Sequence, residues 1–149
     1  MLERHGNRSR GVELDAEASL GGSVTVSAGY LFADSTVLSA ATVSLEGLRI
    51  PQVPRHQGSL AVRSRAGPLT LSLQARAASA QFEDDQNSLN LAGFLVADAR
   101  AGAELTRALQ IFVACENIFD KRVEVGRTPA LNLGPPRMAR AGLTLRVPG

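Results

Sequence analysis

The sequence has no tryptophan, one tyrosine, one cysteine and two histidines among its 149 residues. A lone cysteine, Cys115, excludes an internal disulfide framework, and His5 with His56 offers too little for a zinc centre. No apolar run approaches the ~18 residues that a membrane-crossing helix needs. The net charge is only +2, and the basic residues are spread out rather than clustered, which argues against a nucleic-acid partner. G-x-S-x-G, a phosphate-cradling glycine loop and a Ser/His/Asp constellation are all missing, so no catalytic role is expected, and no cofactor. The opening MLERHGNRSRG is polar and basic with no apolar stretch behind it. It does not read as a secretory signal, and any export signal is expected outside this chain.

What is present is ordinary in amount: 44% apolar and 20% charged residues, enough for a folded unit over residues 1–149. Its arrangement is the informative part. Val12, Leu14, Ala16, Ala18 and Leu20 alternate with Glu13, Asp15, Glu17 and Ser19. The same period of two runs through Val24–Phe32, Leu69–Ala77, Leu95–Leu105, Leu109–Cys115 and Ala139–Val147, and more loosely through Gln57–Arg65. Helical spacing fits none of these as well. The pattern predicts seven antiparallel strands, roughly 10–20, 24–32, 57–65, 69–77, 94–105, 109–117 and 138–147, each with one apolar and one polar face. A half-exposed soluble sheet has that pattern, and so has the wall of a membrane barrel.

The connections separate these two readings. Gly21-Gly22, Ala66-Gly67-Pro68 and Thr106-Arg107-Ala108 are tight turns with hairpin chemistry. Between them lie long links at about 33–54, 79–93 and 119–136. Short turns at one end and long loops at the other are the habit of outer-membrane barrels. Runs of nine to eleven residues suit tilted strands that cross a bilayer. Tyr30, Phe32, Phe94 and Phe119 fall at the long-loop ends, as one half of an interfacial girdle would, whereas Phe112 falls on the polar phase. Adding an eighth strand at Ala41–Leu45, to give a small complete barrel, would destroy this parity of turns and loops.

Five segments, in order, resemble TonB-dependent outer-membrane receptors. Asn7-Arg8-Ser9-Arg10-Gly11-Val12-Glu13 is similar to that family's N-x-S-x-G-x-E strand opening, and IPQVPRH at 50–56 to its loop-to-strand element. NSLNLAGFLVADA, from Asn87 through Gly93 and Asp98 to Ala99, resembles N-x-x-x-L-x-G-F/Y-x-L-V-D-A. Glu116-Asn117-Ile118-Phe119-Asp120-Lys121 resembles E-N-L-F-D-K, and Gly134-Pro135-Pro136-Arg137 resembles G-x-P-R before a last strand.

The resemblance implies an all-β fold: about seven C-terminal strands of an antiparallel transmembrane barrel of about 22 strands. It implies a plug domain that couples to TonB in the inner membrane, outer-membrane lipid around the wall, and a small-molecule cargo such as an iron–siderophore complex. Neither the plug nor the segment that TonB grasps has a match in this sequence, so a fragment, a truncated gene or a degenerate copy is expected. The alternative is a soluble β-sandwich that serves in binding or adhesion.

Candidate chemistry is sparse. Asn117, Phe119 and Asp120 stand where a strand ends; they could shape a cargo-contacting loop, or anchor the interface and satisfy backbone groups. With Asn87, Gly93, Asp98, Pro136 and Arg137 they are expected to be structural motif residues. Glu83-Asp84-Asp85 could hold calcium, but the spacing fits no EF-hand and solvated loop charge is the expectation. Cys115 shares its phase with Leu109, Ile111 and Val113 and is expected to act as a small hydrophobe. His56, like His5, is read as an ordinary surface or turn residue. Glu13, Asp15, Glu17, Arg63, Arg65, Arg76, Asp98, Arg100, Glu104, Glu116, Arg140 and Arg146 share the polar phase, where they would line a barrel lumen and pair across strands.

Overall fold

The computed structural model describes residues 6–40 and 43–146. His5, Val147 and the other residues beyond those limits lie outside the description. Eleven strands follow in chain order: β1 (Gly6–Leu20), β2 (Val24–Ser39), β3 (His56–Ala66), β4 (Leu69–Ala78), β5 (Gln81–Phe82), β6 (Asn90–Leu91), β7 (Phe94–Glu104), β8 (Leu109–Glu116), β9 (Glu124–Gly126), β10 (Asn132–Leu133) and β11 (Met138–Leu145). Seven of them form one sheet in the order β1-β2-β3-β4-β7-β8-β11, antiparallel throughout. The remaining four make two small hairpins, β5–β6 and β9–β10, inside the long loops.

The register carries the apolar phase unbroken across the strands. Ala16 faces Ala28, Ala28 faces Leu60, Leu60 faces Ala75, and Ala75 faces Ala97. Further along, Ala101 faces Val113 and Val113 faces Ala141. The polar phase is equally continuous: a hollow of about 610 Å³ on that side is lined by Asp15, Glu17, Ser59, Gln74 and Arg76 among others. The polar face is therefore the concave one, and the apolar side chains cover the convex surface.

Among the described residues, nothing packs on that convex surface. Val12, Leu14, Leu60, Leu71, Leu73, Val113 and Leu143 remain 44% to 64% exposed, and the buried hydrophobic residues among those described are Leu91 and Val96. A compact monomer of 15.7 kDa exposes roughly 7,300 Å²; this chain exposes 10424 Å². A soluble sandwich needs a second sheet over the first, and the described residues supply none. Such a sheet is satisfied only where its apolar face meets an apolar solvent.

The turn ends follow from local chemistry. Gly21 and Gly22 adopt φ of 59° and 72°, and Gly67 a φ of 55° before Pro68. Glycine takes these values at no steric cost, and they match the right-handed twist of the flanking strands. The first two strands run past their expected limits, to Gly6 and Ser39, because the ladder continues after the apolar alternation stops. Val43–Leu45, in the segment considered for an eighth strand, forms a 3-10 turn, while Ala41 and Thr42 lie outside the described residues.

Candidate functional site

All three long loops fold over the concave face at one end of the sheet, and the motif residues are the fasteners. Asn117 is 6% exposed, has φ of 50°, and sits where β8 ends. Its side-chain N–H groups donate to the Lys121 and Pro135 carbonyls (2.9 and 3.1 Å), and its Oδ1 accepts from the Lys121 N–H (2.8 Å). Its own backbone N–H donates to Asp98 Oδ1 at 2.8 Å. Asp98 in turn meets Arg76 at 3.8 Å. Asp120, with φ of 51°, accepts the Arg137 N–H at 2.9 Å through Oδ1. One short segment thus joins β7, the exit of β8 and the residues just before β11.

Asn87 performs a similar task between the first two long loops. Its Oδ1 accepts the Arg49 N–H (2.8 Å) and its Nδ2 donates to the Arg49 carbonyl (2.9 Å). At Gly93 the backbone of the second loop passes so close that a Cβ would lie 2.8 Å from the Ala78 carbonyl oxygen. Pro136 lines the cavity beneath, and Phe119 is 70% exposed at the rim.

In the acidic run, Asp84 is occupied by its own loop. Asp84 accepts the Ser88 N–H (3.1 Å), the Ser88 hydroxyl (2.7 Å) and the Leu89 N–H (2.7 Å). These bonds, led by the Ser88 hydroxyl, hold its carboxyl below the usual carboxylate range. Glu83 reaches the third loop, where it accepts the Arg127 and Thr128 N–H groups. Glu124 accepts the Arg127 guanidinium and, at 3.3 Å, the Ala92 N–H; Arg127 leads in lowering its pKa.

Under the loops lies a cavity of about 510 Å³ whose lining includes Gln52, Gln81, Phe94, Val96, Glu116 and Val125. The Gln81 Oε1 is buried there without a hydrogen-bond partner among the described residues. Phe94 is thus on the concave side and is no part of an outer girdle: in β7 it stands one residue out of phase with Leu95, which is 56% exposed. His56 takes a place there instead. Its Nδ1 lies 2.8 Å from the Tyr30 hydroxyl, and its ring lies 5.3 Å from Phe32, centroid to centroid. No cluster of metal-ligating side chains includes His56 among the described residues, and its aromatic company was hidden in the sequence because Tyr30 and Phe32 are more than twenty positions away. Arg49 and Glu124 were missed for the same reason: their partners Asn87 and Ala92 lie in another loop, where no local pattern marks them.

On the lumen-facing wall, Arg65 pairs with Glu104 at 3.2 Å and Arg140 with Glu116. Phe112 is held on this polar phase by two devices. The Arg100 guanidinium lies over its ring at 3.8 Å, and Gly142 lies beneath it, where a Cβ would come within 2.7 Å of the ring. Cys115 faces Ala99 and Ala139 in the apolar phase as a half-buried free thiol.

Comparison with known proteins places this geometry. Residues 3–118 match the sequence pattern of a family described as TonB dependent receptor-like, beta-barrel. The ferrichrome outer membrane transporter/phage receptor of Escherichia coli strain K12 is 31% identical over 123 residues, which are 76% of this chain and 16% of that protein. The ferric citrate transporter in its unliganded form superposes with a TM-score of 0.85 at 23% identity, over 95% of this chain and 24% of that one. The ferric yersiniabactin uptake receptor of Yersinia pestis gives 0.84 at 19% identity, over 95% and 24%. The chain spans about a quarter or less of the length of these relatives. The seven-stranded sheet, apolar outside and charged inside, is a segment of outer-membrane barrel wall, and the chain belongs to the TonB-dependent receptor-like β-barrel family.

Proposed function

We propose that the chain forms the C-terminal wall and three outward loops of a receptor that imports iron–siderophore complexes through the outer membrane. The observation that carries this reading is the division of the single sheet. Its convex face suits lipid, its concave face is lined by paired charges, and every long loop folds over one end. Within this reading the small hairpins and the 510 Å³ cavity stand at the mouth of the pore, where cargo enters. Energy from TonB would arrive through a plug domain, which no part of the seven-stranded sheet forms. The ferric ligands in the names of the relatives support an iron complex as cargo.

Asn87, Gly93, Asp98, Asn117, Phe119, Asp120, Pro136 and Arg137 act structurally in this reading. They fix where strands end and how loops cross the mouth: the polar groups of Asn87, Asp98, Asn117 and Asp120 are used on backbone partners, and Gly93 allows a close backbone approach. The same accounting supports a transporter rather than an enzyme: Glu83, Asp84, Asp120 and Glu124 at the loop end are engaged by N–H groups or by Arg127. Disruption of the gene at its own locus tests the proposal. Under iron starvation, uptake of labelled ferric hydroxamate, citrate or catecholate complexes should fall for at least one class. Unchanged uptake of every class would refute it.

A further inference from the structure

We propose that the convex face carries a binding site for the phosphate of an outer-leaflet lipid headgroup, built on Arg10, Arg55 and Arg8 around Asp34. This inference rests on the barrel orientation proposed above and goes beyond transport. Arg10 faces Asp34 across the β1–β2 ladder, two rungs beyond the Val12–Phe32 pair. Its Nε and a terminal nitrogen donate to Asp34 Oδ2 at 3.4 and 3.3 Å. Arg55, whose carbonyl accepts the Ala33 N–H at 2.9 Å, donates to Asp34 Oδ1 at 3.0 Å. The two guanidiniums leave the Asp34 side chain 12% exposed, while their own side chains stay 69% and 48% exposed.

One carboxylate can neutralise one of these cations. Arg8, two rungs further out opposite Thr36, is exposed and adds a third cation with no ion-pair partner among the described residues. Each guanidinium has five N–H donors, and most of those on Arg10 and Arg55 are unused. The free forks match phosphate oxygens bidentately.

Position selects the source of the phosphate. Arg10 and Arg8 share the apolar phase of β1 with Val12 and Leu14, so they lie on the lipid side of the wall. The cross-strand pair Phe32–His56 stands about 7 Å closer to the bilayer centre, two strand residues away, and Tyr30 two residues further in. Aromatic rings of this kind sit at headgroup level. Cations just beyond them stand where lipid phosphates lie. A soluble phosphate would meet the same donors but gain nothing from the adjacent rings.

The full chain, refolded into phosphatidylcholine bilayers with and without a bisphosphorylated glycolipid of the lipid A type, tests this. Two readings are taken: the fraction of chain yielding a trypsin-protected strand fragment, and the glycolipid retained on the chain after detergent extraction. Wild type should be more protected with the glycolipid and should retain it. Arg10→Gln with Arg55→Gln should cut retention by about fivefold for each arginine removed, whereas Arg107→Gln at the opposite rim should leave it unchanged. Asp34→Asn, which frees both guanidiniums, should raise retention.

Equal retention by wild type and the double variant would overturn the site. So would a glycolipid without effect on either reading, including a chain protected in neither bilayer, or a loss of retention in Asp34→Asn. Displacement by millimolar inorganic phosphate would show a free-phosphate site and overturn the lipid assignment. Equal protection in both bilayers would leave the barrel wall standing and remove only this site.

Discussion

Single residues decide how the outer loops are held. Asn117 satisfies three backbone groups from inside a buried position, and it does so in a left-handed conformation that asparagine tolerates better than most residues. Asn117→Ala keeps the backbone but strands those groups, and should cost about 1–3 kcal/mol in the stability of the third loop. Amide hydrogen exchange should rise through residues 119–136 and stay unchanged in β3 and β4. Gly142 tells the same story in the wall. Gly142→Ala drives a methyl into the Phe112 ring and should cost about 1–3 kcal/mol as overpacking does. The double variant with Phe112→Leu should recover most of that loss; no recovery would mean that the contact is not what excludes a side chain at 142.

At the scale of elements, strands and loops obey different chemistry. A strand of this sheet tolerates charge on one face only. Leu73→Arg places a cation on the convex side of β4 and should destabilise the folded state in bilayers by about 2–4 kcal/mol if the site lies near midplane. Gln74→Arg, one residue on, faces the lumen and should cost far less; equal losses measured by denaturant titration in bilayers would contradict the assignment of faces. The loops respond to acid. Asp84 and Glu124 have folded pKa values below their ordinary 3.8 and 4.5, so each binds a proton more weakly when folded. The stability they add is complete above the ordinary carboxylate range and is lost as pH falls through it to the lowered folded values. Protease sensitivity of residues 79–93 and 119–136 should therefore rise below about pH 4, while the strands keep their protection.

For the whole molecule, the period of two was enough to reveal the wall. Alternation from Val12 to Leu20 and from Leu69 to Ala77 is written residue by residue, because adjacent side chains in a strand face opposite solvents. The parity of turns was equally visible, since glycine and proline mark the tight ends. Less was visible where partners are remote. The ladder from Ala33 to Ser39 has no apolar alternation to announce it, the β5–β6 and β9–β10 hairpins are too short to carry a period, and Phe94 looked like a rim residue until its phase was fixed. The fasteners of the loops could be named as motif residues, but not their partners: Asn87 finds Arg49, and Asp120 finds Arg137, only after folding. Open hydrogen-bonding edges at β1 and β11 also mean that the described sheet needs neighbouring strands in a bilayer, which further copies of the chain supply when it is refolded alone.

The central claim is that the two faces of this sheet meet different solvents. It is tested most directly by spin labels placed one at a time at positions 70–76 of β4, in a Cys115→Ala background, in outer membranes of cells that make the protein. Labels at 71, 73 and 75 should relax with oxygen dissolved in lipid, and those at 70, 72, 74 and 76 with a water-soluble nickel complex. A single response at every position, or the reverse phase, would contradict the claim.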